Sequence, residues 1–275
     1  MEALCREAGK LVIKPIPGKG RGAVARTALA QGTAILQTTP LAAHLEGAVQ
    51  KGACLHCYAP QSCRRRGGRL CQGAPTSQAY WDRLKVAAKR WHTVPLKQGP
   101  SQRSVLAFVA AKVILRMDSQ AGQDAHMQAF SDLVYPDLGE RIPPEWVESS
   151  QLVRKSLLDW GLLSPASAEM ISPEFFAGIL GRIHINAIRV SSRGSAIFAL
   201  PSMLNHSCNP NVAVGLNGSR ITLTAARDIE EGAECMISYD NAEDYADHDE
   251  RVKSLEWAYG FQCLDTCTCW CKEVS

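Results

Sequence analysis

Asn205-His206-Ser207-Cys208-Asn209-Pro210-Asn211 is the stretch on which the fold turns. It is polar and irregular, yet it sits between two apolar segments, Ile197-Phe198-Ala199-Leu200 and Val212-Ala213-Val214. Alone it reads as a structural turn, because Asn, His and Ser side chains satisfy nearby backbone groups. Its neighbours change that weight. Glu231-Gly232-Ala233-Glu234-Cys235-Met236-Ile237-Ser238-Tyr239 reads as a turn and then a strand ending on a tyrosine. An acidic loop, Asp240 to Asp249, follows, and then Tyr259-Gly260-Phe261 and Cys263.

Working outward, short strands are expected on both sides. Upstream they are Lys10 to Ile16, Ala23 to Thr27 and Thr33 to Thr39, with the glycine-rich loop Pro17-Gly18-Lys19-Gly20-Arg21-Gly22 between the first two. Downstream of Asn186 they are Ala196 to Leu200, Val212 to Leu216, Arg220 to Ala226 and Glu234 to Ser238, with Asn217-Gly218 as a hairpin turn. From about Tyr80 to Ile183 the period is helical. Ser101 caps a helix with apolar positions Val105, Leu106, Val109, Val113 and Ile114. A second runs through Trp146, Val147, Leu152, Val153 and Leu157. A third starts at Ser172, with Pro173 first and Glu174 in the first turn. These helices read as packing elements. A β region, a helical insertion and a second β region that must pair with the first make one composite α+β domain, mostly β.

Bulk properties exclude several classes. There are 275 residues, 46% hydrophobic and 21% charged, an ordinary globular balance. No run of about 18 uncharged apolar residues is present, so no membrane span is expected. Met1 to Lys10 lacks the apolar core of a secretory signal. The net charge of +3 is too weak to argue for nucleic acid. Arg64-Arg65-Arg66 with Arg69 reads as a solvated loop.

Nine of the eleven cysteines are grouped. Cys54, Cys57, Cys63 and Cys71 form one cluster, Cys263, Cys267, Cys269 and Cys271 another, and Cys208 lies in the Asn-His motif. Without an export signal, such crowding points to thiolate zinc sites rather than disulfides. His56 and His92 are spare ligand candidates. Cys5 and Cys235 read as ordinary thiols.

Five motifs in one order carry a resemblance. They are Gly18-Lys19-Gly20-Arg21-Gly22, Asn205 to Asn211, Leu223-Thr224-Ala225-Ala226-Arg227-Asp228-Ile229 with Gly232 and Glu234 after it, Ser238-Tyr239, and Tyr259-Gly260-Phe261-Gln262-Cys263. Together they resemble the SET domain, most of all its SET-and-MYND subfamily, over residues 10 to 40 and 180 to 271. The resemblance implies small twisted sheets with a pseudoknot through the Asn-His segment, an exception to unthreaded chains. It implies a split domain over 10–271: N-terminal SET strands 10–50, a shortened zinc-binding insertion 51–80, a helical insertion 81–183, a C-terminal SET core 184–250 and a Cys-rich tail 251–275. It implies S-adenosyl-L-methionine as methyl donor and a lysine of a protein, histone or not, as acceptor. Lys19, Gly20 and Arg21 match the loop along the donor's methionine part. Asn186, Ser202, Leu204, Asn205 and His206 match the segments that meet its amino group and adenine. Phe261 matches the aromatic that stacks on adenine, and Tyr239 the catalytic tyrosine.

The resemblance further implies one Zn2+ held by Cys208 and three tail cysteines. Here Asp265 and Thr268 stand where two of those cysteines belong, and Cys263, Cys267, Cys269 and Cys271 supply the candidates at a new spacing. The insertion is too short for two ions; one held by Cys54, Cys57, Cys63 and Cys71 is the expectation, with a metal-free finger as the alternative. A nuclear or cytoplasmic monomer follows. Two other functions stay open: a SET-like interaction module that binds the donor weakly, and a nucleic-acid-binding zinc protein acting through Arg64 to Arg69, which requires a steep salt dependence.

Overall fold

A computed structural model describes residues 9–45, 54–56, 58, 77–96, 103–119, 125–135, 142–191, 194–217, 220–240, 244–245 and 247–261. In chain order the strands are β1 (Leu11–Ile16), β2 (Gly20–Ala25), β3 (Ala34–Thr38), β4 (Ala42–Leu45), β5 (Ile188–Ser191), β6 (Gly194–Ile197), β7 (Asn205–His206), β8 (Val212–Asn217), β9 (Arg220–Ala225) and β10 (Glu234–Ile237). The helices are α1 (Gln78–Arg90), α2 (Arg103–Asp118), α3 (Ala125–Ser131), α4 (Pro144–Asp159), α5 (Pro165–Glu169), α6 (Pro173–Asn186) and α7 (His248–Tyr259). No helix among the described residues is long and apolar enough to cross a membrane.

The chain divides into two compact units. The first comprises Met1–Gln37, Met203–Gly215 and Thr222–Ser275; the second comprises Thr38–Ser202 and Leu216–Ile221. In the first unit, a four-stranded sheet has the order β1-β2-β10-β7. β10 is antiparallel to β2, with Glu234 opposite Val24, and parallel to β7, with Met236 opposite Asn205 and Ile237 opposite His206. The parts of β3, β9 and β8 in this unit form a second sheet, in the order β3-β9-β8. Along β10 the side chains alternate, Glu234 and Met236 half-buried and Cys235 and Ile237 buried. That alternation follows from the two-residue repeat of a strand.

The turn between β1 and β2 lies within the predicted glycine-rich run, with shifted boundaries. Gly20 to Gly22 already belong to β2, so the loop between β1 and β2 is shorter than the glycine run predicts. Gly218 and Ser101 lie outside the described residues. Helix α7 falls where a loop and a tail were expected. Its signals are local: Asp247 caps the N-terminus by accepting from the Glu250 amide, and Gly260 ends it in a left-handed conformation at φ 74°.

The second unit holds the sheet β4-β6-β5 and helices α1 to α6. Ser172 accepts from the Phe175 amide and Pro173 opens α6, as its sequence predicts. Helix α2 packs against β4, β6 and α6. It is buried nearly all round: Phe108, Val109, Ala110, Ala111, Lys112, Val113 and Leu115 are at most 1% exposed. Its one-sided apolar pattern understated this, because Lys112 and Arg116 are also buried.

Lys112 is accommodated because all three ammonium protons find acceptors: the carbonyls of Ala43 (2.5 Å) and Leu55 (3.1 Å) and the Tyr58 hydroxyl (2.7 Å). Its charge also lies over the rings of Tyr58 and Phe108. Tyr58, the non-glycine residue at φ 51°, is held in that strained state by this network. With its oxygen taken by Lys112, the Tyr58 hydroxyl donates to His44 Nδ1 at 3.3 Å.

Burial and then the Lys112 charge push His44 down to about 3. Burial and then Arg116 do the same for His56, also to about 3. Both are neutral in the folded chain at pH 7 and would protonate near 6.5 once unfolded. The unfolded state therefore binds more protons between pH 6.5 and 3, and stability falls as pH drops through that window. We expect a loss of roughly 1–2 kcal/mol per histidine between pH 7 and pH 5. Urea midpoints measured at the two pH values check this, and His44→Asn should remove about half of the pH-dependent loss.

Candidate active site

Tyr239 stands at the end of β10, where the strand gives way to a bend. Its backbone N–H donates to His206 Nδ1 at 3.1 Å, and its hydroxyl donates to the Leu204 carbonyl at 2.8 Å. Both acceptors lie on or beside β7, so the parallel β7–β10 pairing fixes the tyrosine at two points. Burial, then Tyr259 and Glu234, raise the phenol above its ordinary value. It stays protonated at neutral pH and acts as a hydrogen-bonding group rather than as a phenolate.

His206 is neutral too. Burial lowers it to about 4, against the raising pull of Asp240. Because Nδ1 accepts from the Tyr239 amide, the proton sits on Nε2, which points at Cys208 Sγ 3.2 Å away. Around these two residues lies an aromatic group. His206 is 5.3 Å from Tyr239 and 5.7 Å from Phe261 between ring centroids, and Tyr239 is 4.9 Å from Tyr259. The left-handed Gly260 turns the chain at the end of α7 and brings Phe261 back toward Tyr259, with 6.2 Å between their centroids.

A polar cluster lies on the β1–β2 side of the same sheet. The Lys19 ammonium meets Glu234 Oε2 at 2.8 Å and lies 3.6 Å from Met236 Sδ. Glu234 and Met236 are two apart on one strand, which is why one lysine reaches both. Asn205 Nδ2 donates to Glu234 Oε1 (2.8 Å) and to the Arg21 carbonyl (3.0 Å). The Asn211 side chain imitates a strand: Nδ2 donates to the Glu234 carbonyl and Oδ1 accepts from the Met236 amide. Thus two of the three asparagines in the Asn205–Asn211 stretch, Asn205 and Asn211, grip β10 from separate positions.

Lys19, Gly20, Arg21, Leu204, Asn205, His206, Tyr239 and Phe261 all lie in the first unit. Asn186 and Ser202 lie in the second, where the Ser202 hydroxyl donates to the Asn186 carbonyl at 3.0 Å. The Asn186 amide is held by the Val134 and Arg182 carbonyls, both at 2.8 Å. Of the cysteine candidates, Cys208 and Cys54 are buried and outside any disulfide. Cys57, Cys63, Cys71, Cys263, Cys267, Cys269 and Cys271 lie outside the described residues. Among the described residues no group of three or more metal-ligating side chains gathers. The His56 ring is engaged inside the second unit: Nε2 lies 2.7 Å from the Pro40 carbonyl and Nδ1 3.4 Å from the Tyr80 hydroxyl.

Sequence reasoning left two participants unassigned. Glu234 was read only as a motif marker, and Tyr259 only as part of a spacing. Both sit within reach of the residues it did select.

The SET domain family matches residues 20–240. The chain belongs to the SET-domain family. It is 34% identical over 93 residues to the histone-lysine N-methyltransferase set5 of Schizosaccharomyces pombe, covering 33% of this chain and 28% of that protein. It is 25% identical over 256 residues to the histone-lysine N-methyltransferase SMYD3 of Homo sapiens, covering 89% and 58%. It is 36% identical over 91 residues to the N-lysine methyltransferase SMYD2-B of Danio rerio, covering 31% and 20%. The chain thus spans less than two thirds of each of these SET-domain relatives.

Proposed function

We propose that this SET-domain chain is a protein-lysine N-methyltransferase that uses S-adenosyl-L-methionine and acts through Tyr239. The observation that carries the reading is the Tyr239 hydroxyl, protonated and bound to the Leu204 carbonyl, beside His206, Tyr259 and Phe261. The donor set suits a nucleoside that carries an amino acid: aromatic faces for a base, a lysine for a carboxylate, and amide and backbone oxygens for an ammonium. Within the first unit Lys19, Gly20, Arg21, Leu204, Asn205, His206 and Phe261 would hold it; Asn186 and Ser202 keep the roles that the family resemblance gives them.

When bound, S-adenosylmethionine supplies an electrophilic methyl group on a sulfonium. The chain's own task is to present a neutral amine in line with it. A free lysine loses its proton near pH 10.4, and apolar, aromatic surroundings lower that value by disfavouring the ammonium. Because the Tyr239 O–H donates its hydrogen bond to the Leu204 carbonyl, its oxygen is left to accept from the incoming amine and aim the lone pair. Incubation with methyl-labelled S-adenosylmethionine and a protein extract tests the reading. Label on extract proteins that depends on Tyr239 is the expected result. The absence of any such label would move the assignment to a SET-like interaction module.

We also infer one zinc held by Cys208 and three of the tail cysteines, and a second site formed by Cys54, Cys57, Cys63 and Cys71. The buried Cys208 thiol with His206 Nε2–H directed at its sulfur suits a thiolate ligand. Metal analysis should give at least one zinc per chain, and Cys208→Ser should lose one equivalent. Unchanged zinc in that variant would rule Cys208 out. The substrate is a protein that presents a lysine to a nuclear or cytoplasmic enzyme.

A further inference from the structure

Asn205 is held by two neighbours that can only accept. The Arg21 carbonyl and the Glu234 carboxylate lie 3.0 Å and 2.8 Å from one atom of its amide. That atom must be the nitrogen, and both its protons are used. The amide is planar, so its other branch, the acceptor Oδ1, faces away from both of these groups. Turning the amide over would set a carbonyl oxygen against a carboxylate and a second carbonyl.

Space for this arrangement is reserved from below. Gly22 lies under the Asn205–Glu234 bond, and a Cβ there would stand 2.8 Å from Asn205 Nδ2 and 2.9 Å from Glu234 Oε1. It would also meet Ile16 Cγ1 at 2.7 Å. The glycine is therefore needed for the closeness of two side chains that the sequence places 29 residues apart. The second carboxylate oxygen is tied to Lys19, so Glu234 cannot rotate away from Asn205 without giving up an ion pair.

We infer that Glu234 is a positioning residue for the methyl donor: it locks the Asn205 amide so that an oxygen acceptor, rather than an N–H donor, meets the donor's ammonium group. This rests on the S-adenosylmethionine reading above. It assigns Glu234 no contact with the donor and no part in proton transfer. Its effect is confined to ligands that carry the amino-acid part.

Calorimetric titration with two ligands tests it. S-adenosylhomocysteine carries the ammonium group; 5′-methylthioadenosine keeps the adenosine and thioether but lacks it. Glu234→Ala should bind S-adenosylhomocysteine about tenfold or more weakly and 5′-methylthioadenosine within about twofold of wild type. Glu234→Gln retains an acceptor for Asn205 but sets an amide N–H against Lys19, and it should keep S-adenosylhomocysteine within about threefold. Gly22→Ala drives the same two atoms apart without altering either side chain, and should reproduce the selective loss. Equal weakening in Glu234→Ala and Glu234→Gln would overturn the inference in favour of a charge effect through Lys19. Equal loss of both ligands, or no loss in Glu234→Ala, would overturn it outright. If the wild-type chain binds neither ligand, the methyl-donor reading fails first and is identified as the cause.

Discussion

Tyr239→Phe is expected to lower methyl transfer by about 10²–10³-fold while S-adenosylhomocysteine binds within about threefold of wild type. The substitution removes one oxygen and leaves the ring, so the contacts with His206, Tyr259 and Phe261 persist. In the proposed reaction the lost hydroxyl would join the Leu204 carbonyl to the substrate amine, and that link would matter most when the lone pair must point at the methyl group. Turnover and turnover per KM should fall together, because the contact is made in the reacting state. The Leu204 carbonyl also loses its partner, at a cost of roughly 1 kcal/mol, small enough for the variant to remain folded. Single-turnover rates with labelled donor, beside calorimetry, give the two numbers. A variant that turns over near the wild-type rate would remove Tyr239 from the mechanism.

The second large effect concerns the link between helix α7 and the tyrosine. Arg251 on α7 and Asp240, the residue after Tyr239, form an ion pair whose side chains are 2% and 10% exposed. Arg251 Nε and one Nη meet Asp240 Oδ1 at 3.0 Å and 2.6 Å, and the same Nη reaches Ser238 Oγ at 3.2 Å. Arg251→Ala strands a buried carboxylate whose other oxygen has no hydrogen-bond partner among the described residues. The expected destabilisation is about 3–5 kcal/mol, because an uncompensated buried charge costs far more than the pair contributes. Asp240→Asn in the same chain should recover part of the loss, since it removes the charge that was stranded. Urea unfolding of the single and double variants measures both. A loss below about 1 kcal/mol in Arg251→Ala would mean that the pair behaves like a surface bridge.

The two effects are distinguishable. Tyr239→Phe should act on rate with little change in stability. Arg251→Ala should act on stability and on the placement of Tyr259 and Phe261, so it should weaken ligands that stack on those rings.

Much of the plan was legible from residue order. Ser172-Pro173-Glu174 announces the start of α6 through contacts three residues apart. The strand periods at Leu11–Ile16, Arg220–Ala225 and Glu234–Ile237 were readable for the same reason. Helix α7 was just as local, with Asp247, Glu250 and Gly260 marking its ends, but the acidic run around it read as a loop. The buried Lys112 was not legible, because an ammonium in a core is tolerated only where carbonyls of Ala43 and Leu55 converge on it.

What the sequence by itself determined is the family and the motif set, because five motifs in one order survive any uncertainty in where each strand ends. It also determined Asn205, His206 and Tyr239 as the residues to inspect. Only the tertiary structure decided how they are held: Asn205 turned by Glu234, His206 fixed in one tautomer by the Tyr239 amide, Tyr239 capped by Leu204. The reason is one of distance along the chain. Caps and strand periods are set within a few residues, whereas the Lys19–Glu234 pair joins positions 215 apart and exists only once β2 and β10 lie side by side.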